Sequence, residues 1–367
     1  MIPVNRPLIQ QEDIDAVVTV LKEGNISGDT QIIRDCEKRI GEILGTNNVI
    51  LVNSGTSALD LAIESLDIKE RQECILPAFT IMSSVNQLIR KRARIHLIDS
   101  DKENWSMNLD EVRNKVSKKT KLVLPVHIYG YPLDLSGLIE MSKEMNFLVL
   151  EDAAESFGSR IHEKAIGTFG SAGIYSFYAN KIITGGEGGA IVTDNDQIAE
   201  RARKYRNLNF SSIRFVHEGI GWNARMSSLS AALIMSQLDR LEKLLTTKLE
   251  IGNRYRKGLK DHPWFIHPKE SNGNALNSYW VYGIVLNSET KMNAQSLQET
   301  LLARYGIQTR RFFCPIHLQP FIKRHDVEYS DLSVSEWLWE RGIYLPCGLG
   351  NTNYEIDQVI ESLWDLV

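Results

Sequence analysis

From about residue 48 the chain alternates short apolar runs with longer segments in which apolar residues recur every third or fourth position. NVILVN leads to LDLAIESL, ECILPAF to SSVNQLIR, RIHLIDS to LDEVRNKV and KLVLPV to LSGLIEMSKEM, and FLVLEDAA follows. Short apolar runs bounded by turn residues read as buried strands, and the amphipathic stretches between them as helices that cover a mainly parallel sheet. The predicted class is α/β. Near Arg225 the alternation stops, and one long helical pattern, RMSSLSAALIMSQLDRLEKLLTTKLEIGNRYRKGL, carries the chain onward. Beyond it SYWVYGIVL reads as a strand, NAQSLQETLLARYG as a helix ending at Gly306, and NYEIDQVIESLWDL as a terminal helix. The expected organisation is a large domain over 1–245 and a smaller α+β domain over 246–367.

In open α/β sheets ligands bind at the carboxyl ends of the strands. The polar residues that follow each apolar run are therefore the candidates: Asn53 to Ser57, Pro77 to Thr80, Asp99, His127, and the pair Glu151 and Asp152. VILVNSGTSALDLAI passes from a strand through Ser-Gly-Thr-Ser into a helix, where free N–H groups and the helix dipole favour a phosphate, with Thr56 and Ser57 as donors. The same residues also serve as an ordinary helix cap.

The stretch YSFYANKIITGGEGGAIVTD holds a single lysine, Lys181, ahead of four glycines and a strand-like run. A Walker loop needs its lysine after the glycines and at the start of a helix, so that reading fails, and no GxGxxG fingerprint follows a strand. Burial lowers the pKa of a lysine and makes it a nucleophile or base. A phosphate cradle, a carboxylate such as Asp152 and a reactive lysine are used together by pyridoxal phosphate (PLP): the lysine joins its aldehyde and the acid keeps its ring nitrogen protonated.

Composition narrows the partners. In 367 residues, 43% of them hydrophobic, the formal charge is only −4 and the basic residues are scattered. No electrostatic footprint for nucleic acid or an anionic membrane results, which leaves small molecules or another subunit. Four cysteines stand far apart, without CxxC spacing or nearby histidines, so no metal site is expected. The N-terminal residues lack a signal-peptide pattern, and no apolar run approaches about 18 residues, so a cytoplasmic location is expected.

Six ordered stretches, NSGTSALDLAI, PAFTIMSS, EDAAESFGS, SFYANKIITGGEGGAIVTD, GWNARMSSLSAAL and TRRFFCPIHLQPF, resemble the sugar-nucleotide aminotransferases, the DegT-type branch of fold-type-I PLP enzymes. The likeness covers nearly the whole chain and implies an aspartate-aminotransferase-like fold. It implies that Lys181 binds the cofactor's aldehyde, that Asp152 pairs with the ring nitrogen, and that Ser176 binds the phosphate beside Gly55, Thr56 and Ser57. Glu155 falls near the ring. The family's dimers place Asn223 at the partner's phosphate, with Arg225 close by, and His317 of the second domain near the sugar; His127 is expected to be architectural. Ile81 stands where many relatives stack an aromatic ring, a contribution of about 0.5 to 1.5 kcal/mol. TGGEGG in place of TTGEGG is expected to loosen the loop after Lys181. By the same resemblance the donor is L-glutamate and the acceptor a nucleotide-linked keto sugar, most similar to the branch that aminates C4 of a GDP-linked 6-deoxy sugar; C4 or C3 amination of UDP- or dTDP-linked sugars is the alternative. A 3-dehydratase branch carries histidine in place of the lysine, against which Lys181 argues. A non-catalytic sugar-nucleotide sensor is the alternative of another class.

Overall fold

The computed structural model describes residues 1–367 except 214 and 274. In chain order the first strands are β1 (Asn48–Val52), β2 (Glu73–Pro77), β3 (Arg94–Ile98), β4 (Thr120–Val123), β5 (Leu148–Asp152), the hairpin β6 (Arg160–Ile161) and β7 (Lys164–Ala165), β8 (Ala172–Ser176) and β9 (Gly189–Thr193). The later ones are β10 (Phe265–Ile266), the hairpin β11 (Ser271–Asn272) and β12 (Ala275–Leu276), β13 (Tyr282–Leu286), β14 (Arg310–Arg311), β15 (Val327–Glu328) and β16 (Gly342–Leu345). The large sheet has the order β1-β9-β8-β5-β4-β2-β3-β15. Every residue of β1, β8 and β9 is buried, as continuous apolar runs require when helices cover both faces.

Parallel pairing holds from β8 through β5, β4, β2 and β3 to β15. The exception is β9, antiparallel to both β1 and β8. It brings Gly189 opposite both Val52 and Ser176, at the edge where the carboxyl ends of β1 and β8 lie.

The helical pattern after Arg225 is two helices, α8 (Ser228–Leu238) and α9 (Leu241–Gly258). Between them Arg240 leaves helical geometry at φ −108° and ψ 9°, and its guanidinium pairs with the buried carboxyl of Asp13. That acid lies on α1 (Gln11–Glu23), which packs on α8. Residue 245 falls inside α9, so a continuous helix joins the two units. The C-terminal unit carries a four-stranded antiparallel sheet, β10-β13-β16-β14. The helix expected to end at Gly306 spans Ala294–Tyr305, with Asn293 as its cap and Gly306 at φ 65°. One apolar core runs through both units, from Ile50 and Leu76 to Leu297 and Ile343.

Two further crossings tie the units together. The strand β15 leaves the C-terminal unit to pair with β3, and residues 2–6 run along the C-terminal unit through Ile2 N–H to Gly306 O (2.9 Å), Gly350 N–H to Arg6 O (2.8 Å) and an Arg6–Glu355 ion pair (2.9 Å).

Candidate active site

Three carboxyl ends of the large sheet converge. After β1, Ser54 caps the helix α3 (Gly55–Ser65) by accepting from Ser57 N–H at 3.0 Å, and the first intrahelical bond is Ala58 N–H to Ser54 O. The N–H groups of Gly55 and Thr56 therefore precede the helical ladder and point outward as donors, whereas that of Ser57 is taken by the cap. Gly55 lies against Ser176 at the end of β8: a Cβ there would stand 2.9 Å from the serine's Cβ. At Gly189 a Cβ would meet Ser54 O at 2.4 Å, so only glycine lets β9 approach this turn. Ser176 is buried, and its hydroxyl accepts from Tyr178 N–H at 3.4 Å.

At the end of β5 Asp152 is 3% exposed. Its Oδ1 accepts from Ala154 N–H at 3.1 Å, while Oδ2 has only a long 3.4 Å contact with the Ser84 hydroxyl. Burial raises its pKa above the ordinary carboxylate value, opposed by the Ala154 N–H and by the charge of Lys181. Glu155 is also buried; it accepts from Tyr129 N–H at 2.6 Å, and its Oε1 lies 4.0 Å from Lys181 Nζ. Burial pushes Glu155 up to about 7 and Lys181 down to about 8, with the attraction between the two opposing burial in each case. A lysine so tuned holds a usable fraction of free amine near neutral pH.

The remaining candidates fall around this centre. Ile81, 51% exposed, occupies the turn before α4 (Ser83–Arg90), whose Ser84 reaches Asp152. His317 is buried in the C-terminal unit and bonds Glu336 at 2.8 Å, and Ile316 N–H donates to Ala78 O, which docks its loop on the PAFT turn. His317 Nδ1 has no hydrogen-bond partner among the described residues. Asn223 is exposed and pairs antiparallel with Asn207, as Phe210 does with His217, while Arg225 bridges to Val52 and bonds Asn207. In this subunit neither is brought to Lys181 by any contact described.

His127 is fully buried, accepts from Leu133 N–H at Nδ1 (3.1 Å) and therefore donates from Nε2 to Glu151 (3.2 Å). Glu151 also accepts from the N–H groups of Gly167, Phe169 and Gly170, so it is a structural carboxylate. At Gly185, in the loop after Lys181, a Cβ would meet Glu187 O at 2.8 Å and Ser230 O at 3.1 Å, so glycine allows the close approach there. Thr184 beside it is clamped by Gln237 through both its N–H and its carbonyl. Tyr129 and Trp280 are site residues that the sequence pattern did not single out. Trp280 lies with its ring centroid 3.5 Å from Lys181 Nζ and donates its indole N–H to Asn180 O at 2.9 Å.

The family model described as DegT/DnrJ/EryC1/StrS aminotransferase matches residues 7–364. The chain belongs to this family. It is 33% identical over 364 residues to the GDP-perosamine synthase of Vibrio cholerae, covering 99% of this chain and 98% of that protein. Among solved structures, the aminotransferase TlmJ from Streptoalloteichus hindustanus matches with a TM-score of 0.92 at 26% identity, over 99% of this chain and 98% of that one. Two structures of a GDP-4-keto-6-deoxymannose-3-dehydratase, one from E. coli with hydrated PLP and one a mutant with bound GDP-perosamine, match at 22% identity and a TM-score of 0.92; they cover 99% of this chain and 99% and 100% of theirs, and show the shared fold.

This family member is thus a PLP-dependent sugar aminotransferase with a fold-type-I architecture. The residues present fit the cofactor. A buried carboxylate whose Oδ2 lacks a strong donor suits a cationic ring N–H, a buried lysine with a lowered pKa suits an aldehyde, and outward N–H groups beside a serine suit a phosphate.

Proposed function

We propose that this enzyme transfers an amino group from L-glutamate to the C4 keto group of GDP-4-keto-6-deoxymannose, giving GDP-perosamine. The observation that carries the chemistry is the buried Lys181 amine, 4.0 Å from Glu155 and within the field of Asp152. The relative that is 33% identical over nearly the whole chain supports the acceptor. When bound, the cofactor supplies an aldehyde that takes up the amino group and a protonated ring that accepts electron density. Lys181 would hold that aldehyde, and its free Nζ would serve as the general base for the proton at Cα of glutamate; general-base transfer of this kind contributes about 10²- to 10⁴-fold. Asp152 would keep the proton on the ring nitrogen, while Ser176 and the N–H groups of Gly55 and Thr56 would hold the phosphate. Glu155 faces the amine whenever it is released. Arg225 and His317 are assigned to the sugar nucleotide, and Ile81 to the open face of the ring. The working unit is a cytoplasmic homodimer in which Asn223 reaches the partner's phosphate, and its product serves assembly of a surface polysaccharide such as an O-antigen.

A panel of GDP-, UDP- and dTDP-linked keto sugars, incubated with glutamate and read by product mass, tests the acceptor. Only the GDP-linked 4-keto-6-deoxy sugar should gain an amino group. Amination confined to a UDP- or dTDP-linked sugar would replace this acceptor with the alternative one. Borohydride reduction followed by peptide mapping should place the cofactor label on Lys181, and a label elsewhere would overturn the attachment.

A further inference from the structure

The indole of Trp280 covers the Lys181 amine more closely than any charged group does. A cation within about 6 Å of an aromatic centroid is attracted to the face of the ring, and tryptophan is the best such face. Here the separation is 3.5 Å, against 4.0 Å from Nζ to Glu155 Oε1. Trp280 is itself buried, and it is fixed from two sides. Its indole N–H donates to Asn180 O, the carbonyl just ahead of the lysine (2.9 Å). Its own carbonyl accepts from Lys248 Nζ at 3.0 Å.

Lys248, on α9, is buried as well, and its ammonium also donates to Cys347 O at 2.5 Å. No carboxylate is among its described hydrogen-bond or ion-pair partners, and burial lowers its pKa. An ammonium buried without a counter-charge is costly unless its donors are used, and here they join the two carbonyls that set the Trp280 and Cys347 backbones. The charged groups around Lys181 Nζ are Glu155 and Asp152 from the end of β5, with Lys248 lining the same small cavity.

We propose that the face of Trp280 is the seat of the Lys181 amine whenever that amine is not covalently engaged, and that Lys248 is the positioning residue that holds the seat. The inference rests on the reading of Lys181 as the reactive amine. An aromatic face favours ammonium over neutral amine, so a lysine released with a proton is held against the ring, opposite Glu155, instead of swinging into the substrate space. Because the C-terminal unit contributes Trp280, its placement also decides where the freed amine waits.

The test is made on the apoprotein. Lys181 is titrated by competitive acetylation across pH, with peptide mapping, in the wild type and in Trp280→Leu, Trp280→Phe and Lys248→Met. Loss of the ring removes the stabilisation of the ammonium, so in Trp280→Leu the midpoint falls and acetylation below it is about 3- to 30-fold faster. Trp280→Phe, which keeps a ring but loses the indole N–H, shifts in the same direction by less. Lys248→Met also shifts downward as the indole is freed, whereas loss of a nearby cation alone would raise the midpoint. Far-UV circular dichroism establishes which variants fold; if Trp280→Leu does not, the other two carry the test. A midpoint that stays or rises in the folded variants overturns the proposal. The titration needs no cofactor, so it is read independently of the borohydride mapping: a label away from Lys181 would refute the attachment and leave this measurement standing.

Discussion

Glu155 and Lys181 share one buried space, and burial moves their pKa values toward each other, to about 7 and about 8. For Glu155 the folded value lies above the ordinary 4.5, so between these values the folded chain holds a proton that the unfolded chain has released. Stability therefore falls as pH rises from about 4.5 to about 7. Lys181 acts oppositely, since above about 8 the unfolded chain keeps its proton up to about 10.5, and stability rises across that window. Glu155→Gln should flatten the thermal midpoint of the apoprotein between pH 4.5 and 7, as melts in a buffer series will show. It also leaves Asp152 as the remaining opposite charge beside Lys181, so the lysine should titrate below about 8. Asp152, Glu155, Ser176 and Lys181 were legible because each ends or follows a strand in a recognisable stretch. Trp280 was not, since its contact with Lys181 joins residues far apart in sequence, and SYWVYGIVL shows locally only a buried strand.

At the scale of elements, the apolar runs located β1 to β5 and β9 of the large sheet but not the direction of β9. A buried run reads the same parallel or antiparallel, and only the partners decide. The two-residue β15 was illegible for another reason: its placement against β3 comes with a long-range ion pair, Arg94 with Asp326 (3.3 Å), not with any local pattern. The start of α3 was legible, because Ser54 has both the residue type and the place of a cap. Ser54→Ala removes the acceptor for Ser57 N–H and should lower unfolding free energy by about 0.5 to 2 kcal/mol, measured by urea denaturation.

For the whole molecule, the stretch before Asn223 exposes Ile213, Val216 and Ile220, each about half or more accessible in the single subunit. Exposed apolar side chains in one place mark a contact surface. If Asn223, which follows this stretch, serves the site of a second subunit, then Lys181→Ala and Asn223→Ala homodimers should each be impaired. Mixing them under exchanging conditions should restore about a quarter of wild-type activity by statistical assortment, because half of the dimers are mixed and each holds one intact site. No recovery in demonstrably mixed dimers would place Asn223 outside the partner's site. Among the described residues no helix is long and apolar enough to cross a membrane.

The first residues of the chain are threaded through the machinery. Asn5 donates its side-chain N–H to Asn180 O at 3.4 Å, the same carbonyl that takes the Trp280 indole, and Arg6 is clasped by Glu355 of the last helix. A proteolytic nick between residues 6 and 10 would cut this tether while sparing every side chain assigned to catalysis. Limited proteolysis followed by assay should show activity lowered by the lost tether, with the assigned side chains untouched.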